Sequence, residues 1–574
     1  MFKRDLFFIL FLIINSLLFA QSAEITIDGV FDDWSAGLTT FTDANETING
    51  VDLLEVKVTN DADFLFIKIK TNTEFDLTDN TTPQDIGLYI DTDNNATTGY
   101  AIQAGYGSEI GLLFNQYLVH YNVSSYSQLS FSDFSLRIAP TVSSDEFEIA
   151  IKRSAIPDGT NPLFPSNTIK ILVRNGENSD QLPNNGMVLS YTFDDTGITP
   201  LVPTNINKEN TNLIRIVSYN TEFDGLINMD RSSYFESIVT SLNPDIISFL
   251  ESWNTTASEI KTLMDIWIPL GTTDGWYVIK KSSAIIASKW NFSQSWYHLD
   301  RQFPVLIDLP NTYTTDLLFT AAHLKCCDNG DALRQDQADQ YAAFILDAKT
   351  AGGQVTIPQN TPFIYAGDLN LVGSSNPLTT LVTGNIQNIT AYGNGGFLDW
   401  DNTTLTDENA IQTDVRMAYT WRKDDTQYPP GKLDFFIYSD AVLNVQKSFV
   451  LQTEVMSNNR LQLYDLNYTD TASASDHFPV TVDFQLSTVA NLASYNFDAS
   501  IHIYPNPTTN NVTINFDELA TYRLRLFDVF GKEISVQQTT ESTTIVMRGL
   551  VAGIYFVSIN DEKGNTTWRK IIKI

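Results

Sequence analysis

The chain has 574 residues, too many for one compact core at ordinary domain sizes, so two to four domains are expected. Its hydrophobic fraction of 43% and charged fraction of 18% are those of globular protein, and charge is spread thinly rather than in blocks, which excludes wholesale disorder. The formal net charge of −33 repels polyanions at long range, which disfavours loose nucleic-acid binding, so a phosphate substrate must be held locally, by metal.

The first residues are Met1-Phe2-Lys3-Arg4, followed by an apolar run from Leu6 to Ala20 and then Gln21-Ser22-Ala23. A basic start, an apolar middle and small residues at the end describe an export signal over residues 1–23. The apolar run is too short for a membrane anchor, and no other segment is apolar enough to span a bilayer.

From residue 24 to about residue 200, short runs alternate apolar and polar residues, as in Leu53-Leu54-Glu55-Val56-Lys57-Val58, with Asn, Asp, Thr and Gly between them. That period predicts antiparallel strands in a β-sandwich. Asp91, Asp93 and Asn95 fall at alternate positions of a turn, a spacing that lets three oxygens converge on Ca²⁺. The same spacing also suits turn residues that cap their own backbone. The stretches Ile27-Asp28-Gly29-Val30-Phe31-Asp32-Asp33-Trp34 and Gly87 to Tyr100 resemble a carbohydrate-binding-module family-nine-like sandwich. The resemblance implies a glycan partner, and Trp34, Tyr89, Tyr100 and Tyr106 are the aromatic candidates. Residues 201–212, LVPTNINKENTN, have no periodicity and read as a linker.

Residues 213–485 change pattern. A strand-like Ile214-Arg215-Ile216-Val217-Ser218-Tyr219-Asn220 leads to a helical stretch near Ser232 to Leu242 and then to Ile246-Ile247-Ser248-Phe249-Leu250-Glu251, an α/β order. Four further apolar runs end or begin on polar residues: His323; Gly367-Asp368-Leu369-Asn370; Asp434; and Ser475-Asp476-His477. Strand ends are where side chains leave a sheet for its rim. The chain has only five histidines, and two of them fall on these positions.

The ordered series SYN, ES, AH, GDLN, LDF and SDHFPV resembles the motif set of the endonuclease/exonuclease/phosphatase superfamily, the deoxyribonuclease-I-like fold. The resemblance implies a four-layered α/β sandwich and a metal-dependent phosphoesterase. It assigns Glu251, with Asn220 and Asp476, to a site for Mg²⁺ or Mn²⁺. It makes Asp368 the group that orients and deprotonates water, and has Asn370 hold water or phosphate. It has His477, ordered by Asp434, donate to a phosphate oxygen, while His323 helps protonate the leaving oxygen. Arg334 and Gln335, on a helical stretch from Ala332 to Ala348, are candidates to reach the phosphate, with surface salt-bridging the alternative for Arg334. Ser252-Trp253 after Glu251 departs from abasic-site enzymes and deoxyribonuclease I, which carry a basic residue there. Cys326 and Cys327 are adjacent, outside ordinary disulfide geometry, and are expected as buried thiols, with a strained, redox-labile ring between them as the alternative in an exported protein.

The order Ile503-Tyr504-Pro505-Asn506-Pro507, Val512 to Phe516, Leu524 to Asp528, Phe530-Gly531-Lys532, Leu550 to Val557 and Arg569 to Lys573 resembles the type IX secretion C-terminal sorting domain over residues 500–574. It implies a small β-sandwich, the type IX machinery as a partner, and a secreted or surface-attached location reached through the periplasm. The leading expectation is a secreted phosphodiesterase acting on DNA or RNA. A lipid or small-molecule phosphoesterase, or an inactive glycan-binding protein, are the alternatives.

Overall fold

Period-two alternation along the first segment places Val56 and Val58 in a core and Glu55 and Lys57 on the other face of the strand Leu53–Asn60. In the computed structural model, residues 24–45, 50–79, 85–122, 129–486, 501–516, 520–529, 531–561 and 566–574 are described; the expected export signal at residues 1–23 lies outside them. Two antiparallel sheets face each other. One has the order Thr39–Thr42, Leu53–Asn60, Phe64–Phe75, Ser144–Lys152, Arg137–Ala139; the other is built on Thr168–Asn175, Ile86–Asp91, Ile110–Leu113 and Leu118–Tyr121. This is the expected β-sandwich.

The outer face of the first sheet is buried too. Phe66 and Ala150 leave the sandwich core and join Ile25, Ile27, Trp34 and Leu38 in a cluster that continues into Ile214, Ile216, Val482 and Phe484 of the following segment. Glu148 on that face is fully buried and accepts from Asp28 N, Gly29 N and Trp34 Nε1. Burial pushes its carboxyl up to about 8, against the pull of those donors. The sandwich and the α/β segment form one compact unit.

The α/β segment has two six-stranded mixed sheets. The first runs Tyr277–Lys281, Ala284–Ser288, Ile246–Leu250, Ile214–Asn220, Val480–Leu486, Leu443–Val450; the second runs Phe292–Ser295, Gln302–Ile307, Leu317–His323, Phe363–Asp368, Asp434–Tyr438, Thr406–Asp407. Ile216, Ile286 and Val482 of one meet Phe319, Ile364 and Phe436 of the other. Helices Ser232–Leu242 and Ala257–Trp267 cover the first sheet, and helix Asp331–Lys349 covers the second. The result is four layers, helix, sheet, sheet, helix.

Each sheet holds one parallel pair: Ile214–Asn220 with Ile246–Leu250, and Leu317–His323 with Phe363–Asp368. Antiparallel partners flank them, Val480–Leu486 and Asp434–Tyr438. The C-terminal ends of the parallel strands and the N-terminal starts of their antiparallel partners must therefore share one edge. Register carries this to single residues, with His323 opposite Asp368 and Asp368 opposite Asp434. Close approach there needs Gly367 (φ +151°), because a methyl group at that position would lie 1.8 Å from Ala322 O.

Residues 201–212 are tied to this sheet. Fully buried Arg215 holds Asp483 through Nε and Nη2 at 2.6 and 2.7 Å, and its Nη1 donates to Ile206 O and Leu242 O.

In the second unit, strands Ile501–Tyr504, Asn511–Phe516 and Thr543–Val546 form one sheet, and Glu533–Thr539, Tyr522–Asp528, Gly553–Asp561 and Thr566–Lys573 form another. Val512, Ile514, Leu524, Leu526, Val557 and Ile559 fill its core, giving the small β-sandwich expected of the tail.

The Arg215–Asp483 pair is bidentate and dry, so removing one partner strands a buried charge. Asp483→Ala is expected to lower the stability of the first unit by about 3–5 kcal/mol, read as a shift in its urea unfolding midpoint.

Candidate active site

The shared edge collects polar side chains around one atom. Asn220, closing its strand, points its amide nitrogen at three groups: Asp368 Oδ2 at 2.9 Å, Glu251 Oε1 at 3.2 Å and His477 Nε2 at 3.4 Å. Its Oδ1 accepts from Glu222 N. Asn220 thus bridges the two acids as a donor, with its oxygen turned away, instead of adding an oxygen to the ligand set the sequence suggested.

Glu251 leaves its strand in a left-handed backbone conformation, φ +56°. Such strain in a non-glycine residue persists only where neighbours impose it. Here Phe223 N donates to Glu251 Oε2, and Asp224 N donates to Glu251 O. Glu222, Phe223 and Asp224 are themselves left-handed. Asp224 locks this bend to the next loop by accepting from Asn254 N, Thr255 N and Thr255 Oγ1. Arg231 clamps it from below, on Thr221 O, Glu222 O and Ala474 O.

His323 Nε2 stands 3.9 Å from Glu251 Oε1 and 3.8 Å from Asp368 Oδ2. Its Nδ1 lies 3.3 Å from Ser283 Oγ. Burial, helped by the cations of Arg301 and His477, holds its pKa down to about 3. The ring is therefore neutral in the resting site. Neutral imidazole with Nδ1–H on a hydroxyl offers the Nε2 lone pair to a metal. The expected role as donor to the leaving oxygen needs a proton that this environment withholds.

Glu251, His323 and Asp368 place ligand atoms within 4.8 Å of one another and could hold a metal ion. Two carboxylates and a neutral imidazole form a donor set suited to a divalent cation, so the residues fit one. Asp476, expected as a ligand, stands outside this trio: its carboxylate lies 3.4 Å from Lys423 Nζ.

His477 has the opposite environment from His323. Its Nδ1 is 2.8 Å from Asp434 Oδ2 and its Nε2 is 3.7 Å from Asp368 Oδ2. Burial opposes its charge, but Asp434 and Asp368 overcome that and raise its pKa to about 10. Burial, reinforced by Asp434, raises the pKa of Asp368 against the pull of His477. Supports for this pair come from a segment the sequence pattern did not single out. Thr420 Oγ1 accepts from Asp434 N and Leu433 N, and Thr420 O accepts from Phe478 N. The segment has no regular period, only isolated bridges at Trp421.

Asn370 sits beyond Asp368 with φ +49°; its N donates to Asp368 Oδ1, and its amide is 3.4 Å from Leu324 O. Arg334 is not brought to the cluster. It is fully buried and donates to Lys325 O, Cys327 O, Val372 O and Asp331, so it shapes the loop after His323 and has no surface to offer a phosphate. Gln335 is spent on Asp339 and Thr380. Cys326 is half-buried and Cys327 exposed, neither in a disulfide and their sulfurs 2.7 Å apart, where buried thiols were expected. In the sandwich, Trp34 and Tyr106 are buried, whereas Tyr89 and Tyr100 are half-buried.

Residues 217–477 match the model of the Endonuclease/Exonuclease/phosphatase family, and residues 502–574 match that of the Secretion system C-terminal sorting domain. The α/β segment thus carries an Endonuclease/Exonuclease/phosphatase family domain, which supports a phosphoric ester hydrolase, and the tail carries a secretion sorting domain. Solved structures similar to this chain include humanized D. rerio TDP2 (14% identity, 48% of this chain, 99% of that chain, TM-score 0.31). ANGEL2, a 2',3'-cyclic phosphatase, is similar at 13% identity over 48% of this chain and 98% of that chain, TM-score 0.31. The ulvan lyase NLR42 of Nonlabens ulvanivorans is 33% identical over 69 residues, 11% of this chain and 13% of that protein; the chain spans only that small part of its curated relative. Among the described residues no helix is long and apolar enough to cross a membrane.

The raised His477 pKa fixes a sign. Stability from its charge is full below the ordinary 6.5 and is lost as pH climbs towards about 10. Urea midpoints are expected to fall between pH 7 and pH 10, and Asp434→Asn, which removes the main attraction, to flatten that fall.

Proposed function

We propose that the protein is a secreted phosphodiesterase that uses Mg²⁺ or Mn²⁺ and cleaves extracellular nucleic acid. The observation that carries the chemistry is the Asn220 amide, which touches Glu251, Asp368 and His477 at once. Glu251 and Asp368, with His323, would hold the ion, which when bound supplies neutralisation of the charge that grows on phosphoryl oxygens. Asp368 takes the proton of the attacking water. Burial lifts its basicity towards that task. His477, cationic and fixed by Asp434, donates to a non-bridging oxygen, and Asn370 holds the phosphate from the far side of Asp368.

The choice of nucleic acid rests on Trp253. It follows the Glu251 bend, is 42% exposed and has its ring 6.0 Å from that of His323, with Arg301 over its face at 5.9 Å. An exposed indole backed by a guanidinium is a stacking platform for a base. A lipid phosphodiester is the second reading, supported by Phe223, which is 72% exposed and donates its N–H to Glu251, and by the net charge of −33. For the sandwich, half-buried Tyr89 and Tyr100 are the aromatics through which a glycan would be held. Residues 1–23 would direct export to the periplasm, and the type IX machinery would carry the chain outward by its tail.

The purified full-length protein is to be assayed on single-stranded DNA, RNA, sphingomyelin and a chromogenic diester, with and without EDTA. Chelation should abolish turnover, and Asp368→Ala and His477→Ala should each lower kcat on the order of a thousandfold. Trp253→Ala should raise KM for the nucleic acids about tenfold and leave the chromogenic diester unchanged. Turnover that survives EDTA, or a preference for sphingomyelin over both nucleic acids, would overturn the proposal.

A further inference from the structure

A second acidic cluster lies far along the chain from the site above, in the sandwich. Strand Ile86–Asp91 pairs antiparallel with Ile110–Leu113, with Ile90 opposite Ile110. Asp91, one step beyond, therefore faces Glu109 across the ladder. The intervening loop folds back and brings Asp93 to both, with ligand atoms of all three carboxylates within 4.8 Å of one another.

Turn capping explains part of this. Asn95 N donates to Asp91 Oδ1 and Asp93 Oδ1, and Thr98 Oγ1 donates to Asp93. It does not explain Glu109. That side chain is only 7% exposed; its Oε2 accepts from Thr92 N at 2.8 Å, but its Oε1 is buried with no hydrogen-bond partner among the described residues. A buried carboxylate oxygen without a partner is costly unless the group takes up a proton or a cation meets it. Ser108 Oγ, beside it, is likewise buried without a partner among the described residues.

The loop is shaped around these oxygens. A methyl group at Gly99 would fall 2.7 Å from Glu109 Oε1, and one at Gly107 would fall 2.2 Å from Thr98 O and 2.4 Å from Asn95 O. Both positions accept only glycine without displacing an oxygen. Lys170 Nζ, 2.9 Å from Asp91 Oδ2, offsets one of the three negative charges and leaves the charge that a divalent ion would balance.

We infer that Asp91, Asp93 and Glu109 form a Ca²⁺ site that pins the loop between these two strands. The donors are all oxygens at irregular positions, which Ca²⁺ tolerates and Mg²⁺ does not. The ligand set differs from the one the turn spacing suggested. The Asn95 side chain is exposed and accepts from Thr97 N and Thr97 Oγ1, and Glu109, from the far strand, replaces it. Tyr100, in the pinned loop, stacks on His120 and lies 6.5 Å from Tyr89, so the ion would also set the one pair of half-buried tyrosines considered above for a glycan.

The test is calorimetric titration of Ca²⁺ into full-length, EDTA-stripped Glu251→Gln protein, in which the central site is disabled. One equivalent should bind, with Kd about 10⁻⁴ M, and Ca²⁺ should raise the melting temperature. Glu109→Gln and Asp93→Asn in that background should each weaken binding at least about tenfold. Asp93 is only half-buried, so Asp93→Asn keeps the fold if Glu109→Gln does not, with circular dichroism as the check. In the otherwise native chain, Glu109→Gln should leave turnover of the chromogenic diester unchanged. No heat with Ca²⁺ in the Glu251→Gln protein, unchanged affinity in Asp93→Asn, or equal affinity for Mg²⁺ would each overturn the inference.

Discussion

Crowding of like charge at one sheet edge is the constraint the rest of the central segment answers. Glu251, Asp368 and Asp434 converge with two imidazoles in a space almost closed to water, and buried carboxylates left to themselves would repel one another and protonate. Three devices hold the arrangement. The Asn220 amide lends its two hydrogens to the acids, His477 carries a positive charge between Asp434 and Asp368 at neutral pH, and a cation held by Glu251 would balance what is left. The two histidines then divide by surroundings: His477, in direct contact with Asp434 at 2.8 Å, is cationic, and His323, held neutral by burial and by the nearby cations of Arg301 and His477, has its carboxylate neighbours only at 3.8 and 3.9 Å.

That edge exists because of strand direction. A parallel pair ends where its antiparallel neighbour begins, so residues almost 260 positions apart, Asn220 and His477, become neighbours at 3.4 Å. The backbone around them is under visible strain, with Glu222, Phe223, Asp224, Glu251 and Asn370 all left-handed. Asp224 and Arg231 absorb that strain by bonding loop to loop, which is how a mobile-looking rim is held in a fixed geometry.

Much of this could be read from residue order. Apolar runs ending in Asn220, Glu251, His323 and Asp368 identify strands, since each strand stops at its polar residue or, for Glu251, one residue before it. What could not be read was side-chain aim. Arg334 lies on the right helix but turns into its own loop, Asp476 goes to Lys423, and Asn220 offers nitrogen where oxygen was expected. Thr420 and Arg231 support the site from irregular segments whose contacts reach other loops and strands and leave no local period. In the sandwich the same limit exchanged Asn95 for Glu109, because a turn's spacing carries no information about the strand that returns beside it. Burial on both faces of the strand Phe64–Phe75 was also hidden, since a period of two reports which residues share a face and not what covers each face.

The central claim is that these strand ends exist to gather one divalent ion beside Asp368. The most direct measurement is anomalous diffraction from crystals of the full chain grown with Mn²⁺. The account predicts a peak in contact with the Glu251 carboxylate and flanked by Asp368 and His323, lost in Glu251→Gln crystals. A cleft without a peak at saturating Mn²⁺, or a peak bound elsewhere with Glu251 and Asp368 untouched, would contradict it.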